Sequence, residues 1–190
     1  MMVGTNNHSK ETVKRIKQGS VGVELGVWKG NSSELFRKKA SRLHLVDSWS
    51  VAPYTQLESY QSYLDRYSSI CGSKDPKDFK KYYDKVYESV KKKFSNDINV
   101  TIWRMNTDKF FKEFTDKVDW FYVDAAHDED GVYKDLVNSY KHLKKFDGGI
   151  IYGDDYGNKT GVIKGVDKFL KEYNLEINNF HANQYEIKIE

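Results

Sequence analysis

Short β-prone runs that alternate with helical stretches constrain this chain more than any other feature. Val21–Leu25 (VGVEL) is the first run and stops at Gly26, and residues 43–46 (LHLV) form the second and stop at Asp47. Residues 32–40 between them read as a helix. Asn31 or Ser32 can cap it, and Glu34 stands in capping-box spacing from Asn31. Further runs follow at 99–104 (NVTIWR), 119–123 (DWFYV) and 149–152 (GIIY). The run at 184–189 (QYEIKI) alternates as an edge strand does. Val132, Leu136, Tyr140 and Leu143 recur at the spacing of one buried helix face. Helices are also expected at 9–17, with Val13 and Ile16 on one face, at 109–114 and at 162–173. Strands alternating with helices make an α/β fold with a mostly parallel sheet.

A length of 190 residues suits one domain, 1–190, with a real core. One interval is too long for a single crossover. Asp75 and Pro76 look like an N-cap and a first-turn proline, opening a long amphipathic helix through Phe79, Tyr82 or Tyr83, Val86, Val90 and Phe94. The preceding residues 49–73 are surplus and rich in tyrosine (Tyr54, Tyr60, Tyr63, Tyr67). The whole interval, about 50–95, reads as a helical lid or substrate-facing insert.

Composition narrows the function. Aromatic residues reach 15%, too many for a disordered chain. A single cysteine excludes an internal disulfide framework and a cysteine zinc cage. Residues 1–19 are polar and basic, without the apolar core of a signal peptide, so the expected compartment is the cytoplasm, away from any membrane. Five arginines stand among 31 basic residues, and the lysines are interleaved with acids. That pattern favours a solvated surface over a nucleic-acid partner.

In open α/β sheets ligands bind at the carboxyl ends of the strands. Gly26 and Gly30 follow the first strand in GxxxG spacing, without the GxGxxG or GK[ST] fingerprints. Glu24 lies late in a buried strand, where an unpaired carboxylate is costly, so it needs a partner from a ligand or a nearby backbone N–H. Asp47 stands about twenty residues past the glycine turn, where nucleoside-binding α/β folds grip a ribose diol. Trp49 could cover an adenine or pack under the insert. Asn106 could bond an adenine edge, whereas Thr107 and Asp108 suit helix capping, Thr107 first. Asp124, Asp154 and Asp155 would converge at the ends of adjacent strands. A divalent cation resolves their repulsion: Mg²⁺, or else Mn²⁺ or Ca²⁺. His127, three residues after Asp124, suits a general base. His44, His142 and His181 read as surface or packing residues.

The stretches GVELGVWKGNSSELF (22–36), LHLVDSW (43–49), VDWFYVDAAHDEDGVYKDL (118–136), LKKFDGGIIYGDDY (143–156) and GVIKGVDKF (161–169) resemble class I S-adenosylmethionine-dependent methyltransferases. Within them the chain looks like the compact group related to metal-dependent sugar and macrolide-sugar O-methyltransferases, and more distantly like catechol-type enzymes. The resemblance implies a Rossmann-like, mostly parallel seven-stranded sheet with helices on both faces and an antiparallel C-terminal edge strand. It places Glu24, Gly26, Val27, Trp28, Gly30 and Ser32 at the cofactor. Asp47, Ser48, Trp49, Asn106, Thr107 and Asp124 fall there too. Asp124, Asp154 and Asp155 fall on metal ligands, and His127, with Asp124, on the catalytic position.

Relatives commonly carry a small residue and a tyrosine after that histidine; here Asp128 and Glu129 follow, acids that would raise its pKa if close. The implied reaction is direct methyl transfer to a hydroxyl of a sugar or other small molecule. The alternatives are a cofactor-binding module without catalysis and another acceptor class. A homo-oligomer stays open. The missing GxGxxG argues against an NAD-dependent oxidoreductase, and the missing (D/N)PP(Y/F/W) signature against amino-group methylation of nucleic acid.

Overall fold

The computed structural model describes residues 9–50, 60–144 and 148–189, without the side chains of 60–63, 66 and 67. The sheet order is β3-β2-β1-β4-β5-β7-β6. Its strands are β1 Val21–Leu25, β2 Arg42–Asp47, β3 Val100–Arg104, β4 Trp120–Val123, β5 Gly149–Gly153, β6 Asn179–His181 and β7 Gln184–Ile189. β1 to β5 pair in parallel, while β7 runs antiparallel to both β5 and β6. The chain steps outward from β1 to β2 and β3, then returns to β4 on the other side. That reversal makes the ends of β1 and β4 the topological switch point of the sheet.

Side chains alternate across each strand, and here both faces are apolar. Val23, Leu25, Phe121, Val123 and Ile151 face one core, filled by Phe110, Leu136, Val166 and Phe169 of α5 Thr107–Glu113, α6 Glu129–His142 and α7 Thr160–Tyr173. Leu43, Leu45, Trp120, Tyr122 and Tyr152 face the other. That core is filled from α1 Ser9–Arg15 with the adjoining Ile16, α2 Asn31–Arg37, α3 Tyr60–Cys71 and α4 Pro76–Lys93. Gly22 exists for this packing: a Cβ there would lie 2.1 Å from the Trp120 ring.

Several expectations change in detail. Gln184–Ile189 is a strand, but not the edge. β6 covers it, a three-residue strand with too little apolar pattern to be read from its residues. β7 is accordingly almost wholly buried. The expected insert holds both α3 and α4. Asp75 caps α4 by accepting from the Lys77 N–H at 2.8 Å, with Pro76 in its first turn. Tyr54, and the side chains of Tyr60, Tyr63 and Tyr67, lie outside the described residues, as does any lid built on them. α2 starts at Asn31 from Gly30, whose φ of 69° replaces the expected side-chain cap. His44 and His142 are packing residues, bonded to Trp103 and to the Asn138 and Phe114 carbonyls.

Candidate active site

The turn after β1 is set by backbone constraints. Gly26 has φ 88°, and a Cβ on it would fall 2.0 Å from the Asp124 carbonyl oxygen. The ends of β1 and β4 therefore approach as closely as a glycine allows. Asp47, ending β2, accepts N–H bonds from Val27 at 3.0 Å and Trp28 at 2.8 Å, and from Trp49 at 2.7 Å. One carboxylate thus ties the β1 turn to the loop after β2. Burial raises its pKa, and these backbone donors hold the rise back. Trp28 and Trp49 both take positive φ, 47° and 41°, so two bulky residues sit in the disfavoured left-handed region beside this carboxylate.

Glu24 is 2% exposed and accepts a hydrogen bond from the Ser33 hydroxyl of α2. Burial pushes its carboxyl well up, and Asp124 and Asp47 nearby add to the rise. The partner demanded by its burial is Ser33, inside the chain. Neighbouring Ser32 points elsewhere: it is buried and bonded to the Ser9 hydroxyl of α1 at 2.7 Å. The Val27 side chain lies in the core. The bare side of Gly30 faces Val90 of α4 and Phe94 just past its end at ordinary contact distance, so its positive φ, rather than room for a ligand, calls for glycine.

One open alternative is decided and one expectation is corrected. Trp49 is 1% exposed and packs against Tyr87 of α4, its Nε1 donating to the Trp28 carbonyl at 2.8 Å. Its ring is under the insert and not over the cleft. Asn106, not Thr107, caps α5, accepting from the Lys109 N–H at 2.9 Å. Thr107 instead bonds the Asp135 carboxyl of α6.

A cleft of about 800 Å³ opens at the ends of β2, β3 and β4. Ser48, Asn106, Thr107, Ala126 and Asp128 line it, with Asp135 at its wall. Its size and position suit a nucleoside-sized ligand.

Beside the β4 turn, Asp124, His127 and Asp155 each offer a ligand atom, all within 4.8 Å of one another. His127 Nε2 stands 3.0 Å from Asp155 Oδ2 and 3.7 Å from Asp124 Oδ1. Burial alone would lower the His127 pKa, but bonds to both carboxylates outweigh it and raise it to about 9. Asp124 rises to about 6 through burial, despite His127. Burial of Asp155 is more than offset by its bond to His127, leaving it low. The acids that raise His127 are these two. Asp128 instead caps α6, accepting from Gly131 N–H at 2.9 Å, and Glu129 opens that helix. Among the described residues Asp154 does not join the group. Its carboxylate accepts from the Tyr122 hydroxyl at 3.2 Å and the Asp155 N–H at 2.8 Å. The two carboxylates of the group, Asp124 and Asp155, are hard oxygen donors that fit a divalent cation such as Mg²⁺ or Mn²⁺.

Sequence reasoning missed Ser33, Tyr122, Gln184 and Asp135. The readable signal was a polar group within an apolar run, as with the Tyr122 hydroxyl inside WFYV.

Residues 23–156 match a family model described as a methyltransferase domain. No curated protein matches the chain. Among solved structures, the O-methyltransferase NovP is 17% identical, with 95% of this chain and 76% of that chain covered and a TM-score of 0.57. A candidate rRNA methylase from Clostridium thermocellum is 16% identical over 100% and 98%, with a TM-score of 0.62. The O-methyltransferase from Bacillus cereus, in complex with S-adenosylhomocysteine, is 11% identical over 98% and 81%, with a TM-score of 0.57.

Proposed function

The chain belongs to the methyltransferase-domain family, with a class I fold and S-adenosylmethionine as its methyl donor, and from that premise we propose a cation-assisted O-methyltransferase acting on a sugar or other small hydroxylated molecule. The observation that carries this reading is the meeting of Asp124, His127 and Asp155 within 4.8 Å, where β4 and β5 end beside the cleft.

Bound S-adenosylmethionine supplies an electrophilic methyl on its sulfonium. Glu24, Gly26 and Gly30 border its amino-acid end in this reading. Asp47 and Ser48 take the ribose, and Asn106 takes the adenine side with the amide nitrogen that capping leaves over. Asp124 and Asp155 would hold the cation, whose Lewis acidity would make an acceptor hydroxyl easier to deprotonate. With those carboxylates on a cation, His127 would lose the partners that keep it protonated, and its Nε2 would be placed to take the hydroxyl proton. Transfer then needs only alignment of oxygen with methyl, and no covalent enzyme intermediate.

A small acceptor fits the surface better than nucleic acid. Three lysines of α4 pair with acids of their own helix, Lys80 with Asp84, Lys81 with Asp78 and Lys91 with Glu88, and Lys93 pairs with Glu34 of α2. Among the described residues no helix is long and apolar enough to cross a membrane. The test is methyl transfer from labelled S-adenosylmethionine to a panel of sugars, phenols and RNA, with and without chelator. The expected product is an O-methylated small molecule, lost with EDTA and restored by Mg²⁺. Transfer indifferent to chelation, or directed to RNA, contradicts the reading.

A further inference from the structure

We propose that Asp154 is a positioning residue and not a cation ligand: buried Tyr122 and Gln184 hold its carboxylate away from the cation group, and it fixes the backbone that aims Asp155. This rests on the cation reading above and departs from the ligand set that the family resemblance implies.

Neighbouring residues at a strand end point to opposite faces. Asp154 continues the face of Tyr152, which pairs with Tyr122 across β4 and β5. The Tyr122 hydroxyl donates to Asp154 Oδ2 at 3.2 Å, and Gln184 Nε2 reaches the same oxygen at 3.4 Å. Gln184 Nε2 also donates to the Tyr122 oxygen at 2.6 Å, while its Oε1 accepts from the Thr12 hydroxyl of α1 at 2.5 Å. Tyr122, Gln184 and Thr12 are all at most 1% exposed. Swinging Asp154 toward a cation would take this acceptor from the buried Tyr122 hydroxyl and leave the Gln184 amide only the Tyr122 oxygen, which a fold avoids.

The other oxygen of Asp154 does the aiming. Oδ1 accepts the Asp155 N–H at 2.8 Å. Asp155 has φ 64°, a left-handed conformation that a non-glycine residue adopts only when held. In that conformation Asp155 Oδ2 reaches 3.0 Å from His127 Nε2. The chain from Thr12 through Gln184, Tyr122 and Asp154 to Asp155 thus links α1 to the cation group.

The test measures Mn²⁺ affinity by electron paramagnetic resonance on the whole chain, without cofactor or acceptor. Asp154→Asn keeps an oxygen for the Asp155 N–H and should retain affinity within about threefold, whereas Asp155→Asn should lose roughly tenfold or more. Tyr122→Phe and Gln184→Leu cannot touch the ion, yet should each weaken it by roughly three- to tenfold. Rescue by the asparagine separates positioning from ligation. If Asp154→Asn loses as much as Asp155→Asn, or both Tyr122→Phe and Gln184→Leu are silent, the proposal is overturned while the cation reading stands. If the unaltered chain binds no Mn²⁺, the cation reading itself fails, and this proposal with it.

Discussion

At the scale of single residues, buried carboxylates divide the work. Glu24 answers to Ser33, Asp47 to backbone N–H groups, and Asp124 and Asp155 to His127. Asp135 stands apart. It is 2% exposed, and its Oδ2 has no hydrogen-bond partner among the described residues. Burial raises its pKa from 3.8 to about 7. Below pH 3.8 folded and unfolded chains are both protonated there. Between 3.8 and about 7 only the unfolded chain ionises, so this residue costs stability as pH rises and the loss is complete above about 7. Asp135→Asn should therefore match the parent in urea unfolding near pH 4 and exceed it at pH 8 by roughly 2–4 kcal/mol, at about 1.4 kcal/mol per pKa unit. A variant no more stable at pH 8 contradicts the assignment.

The acids at strand ends were legible because they interrupt apolar runs. Their orientation was not. Asp154 and Asp155 read alike until φ at Asp155 is known, and no residue type announces a left-handed aspartate as a glycine would. The choice between Asn106 and Thr107 as cap turned on where α5 begins, a shift of one residue.

At the scale of elements, α1 does more than its seven residues suggest. Thr12 bonds Gln184, and Arg15 Nε donates to Glu186 at 2.6 Å, so α1 is pinned along β7. Glu186 has 5% of its side chain exposed and Arg15 23%. Arg15→Ala would leave the buried carboxylate only the longer 3.9 Å contact with Lys188 and should destabilise the fold by about 3 kcal/mol, measured as a fall in the urea midpoint. Double replacement with Glu186→Gln should recover most of that loss; no recovery would refute the pairing. Strands with sustained apolar character were legible, as was α4 from Asp75, Pro76 and its apolar stripe. β6 was not, because a strand of three residues owes its existence to pairing with β7 rather than to its own pattern. Trp49 stood open between covering an adenine and packing under the insert, and its contact with Tyr87 of α4 decides for packing.

At the scale of the molecule, the strand order explains why the site lies where it does. β1 and β4 are neighbours in the sheet but far apart in sequence, and the chain reverses direction of travel between them. The turns after β1 and β4 meet there, with Gly26 against Asp124. The cleft lies toward β2 and β3, and Asp155, two residues past β5, joins Asp124 and His127 on the other side. In the proposed reading, the donor and acceptor ends of a methyl transfer lie on opposite sides of one crossover. The most direct test of that arrangement is calorimetric titration of S-adenosylhomocysteine into the whole chain and into Asp47→Asn. The account predicts one saturable site per chain, clearly weakened by the Asp47 replacement. A chain that gives no saturable binding, or binds equally well after that replacement, contradicts it.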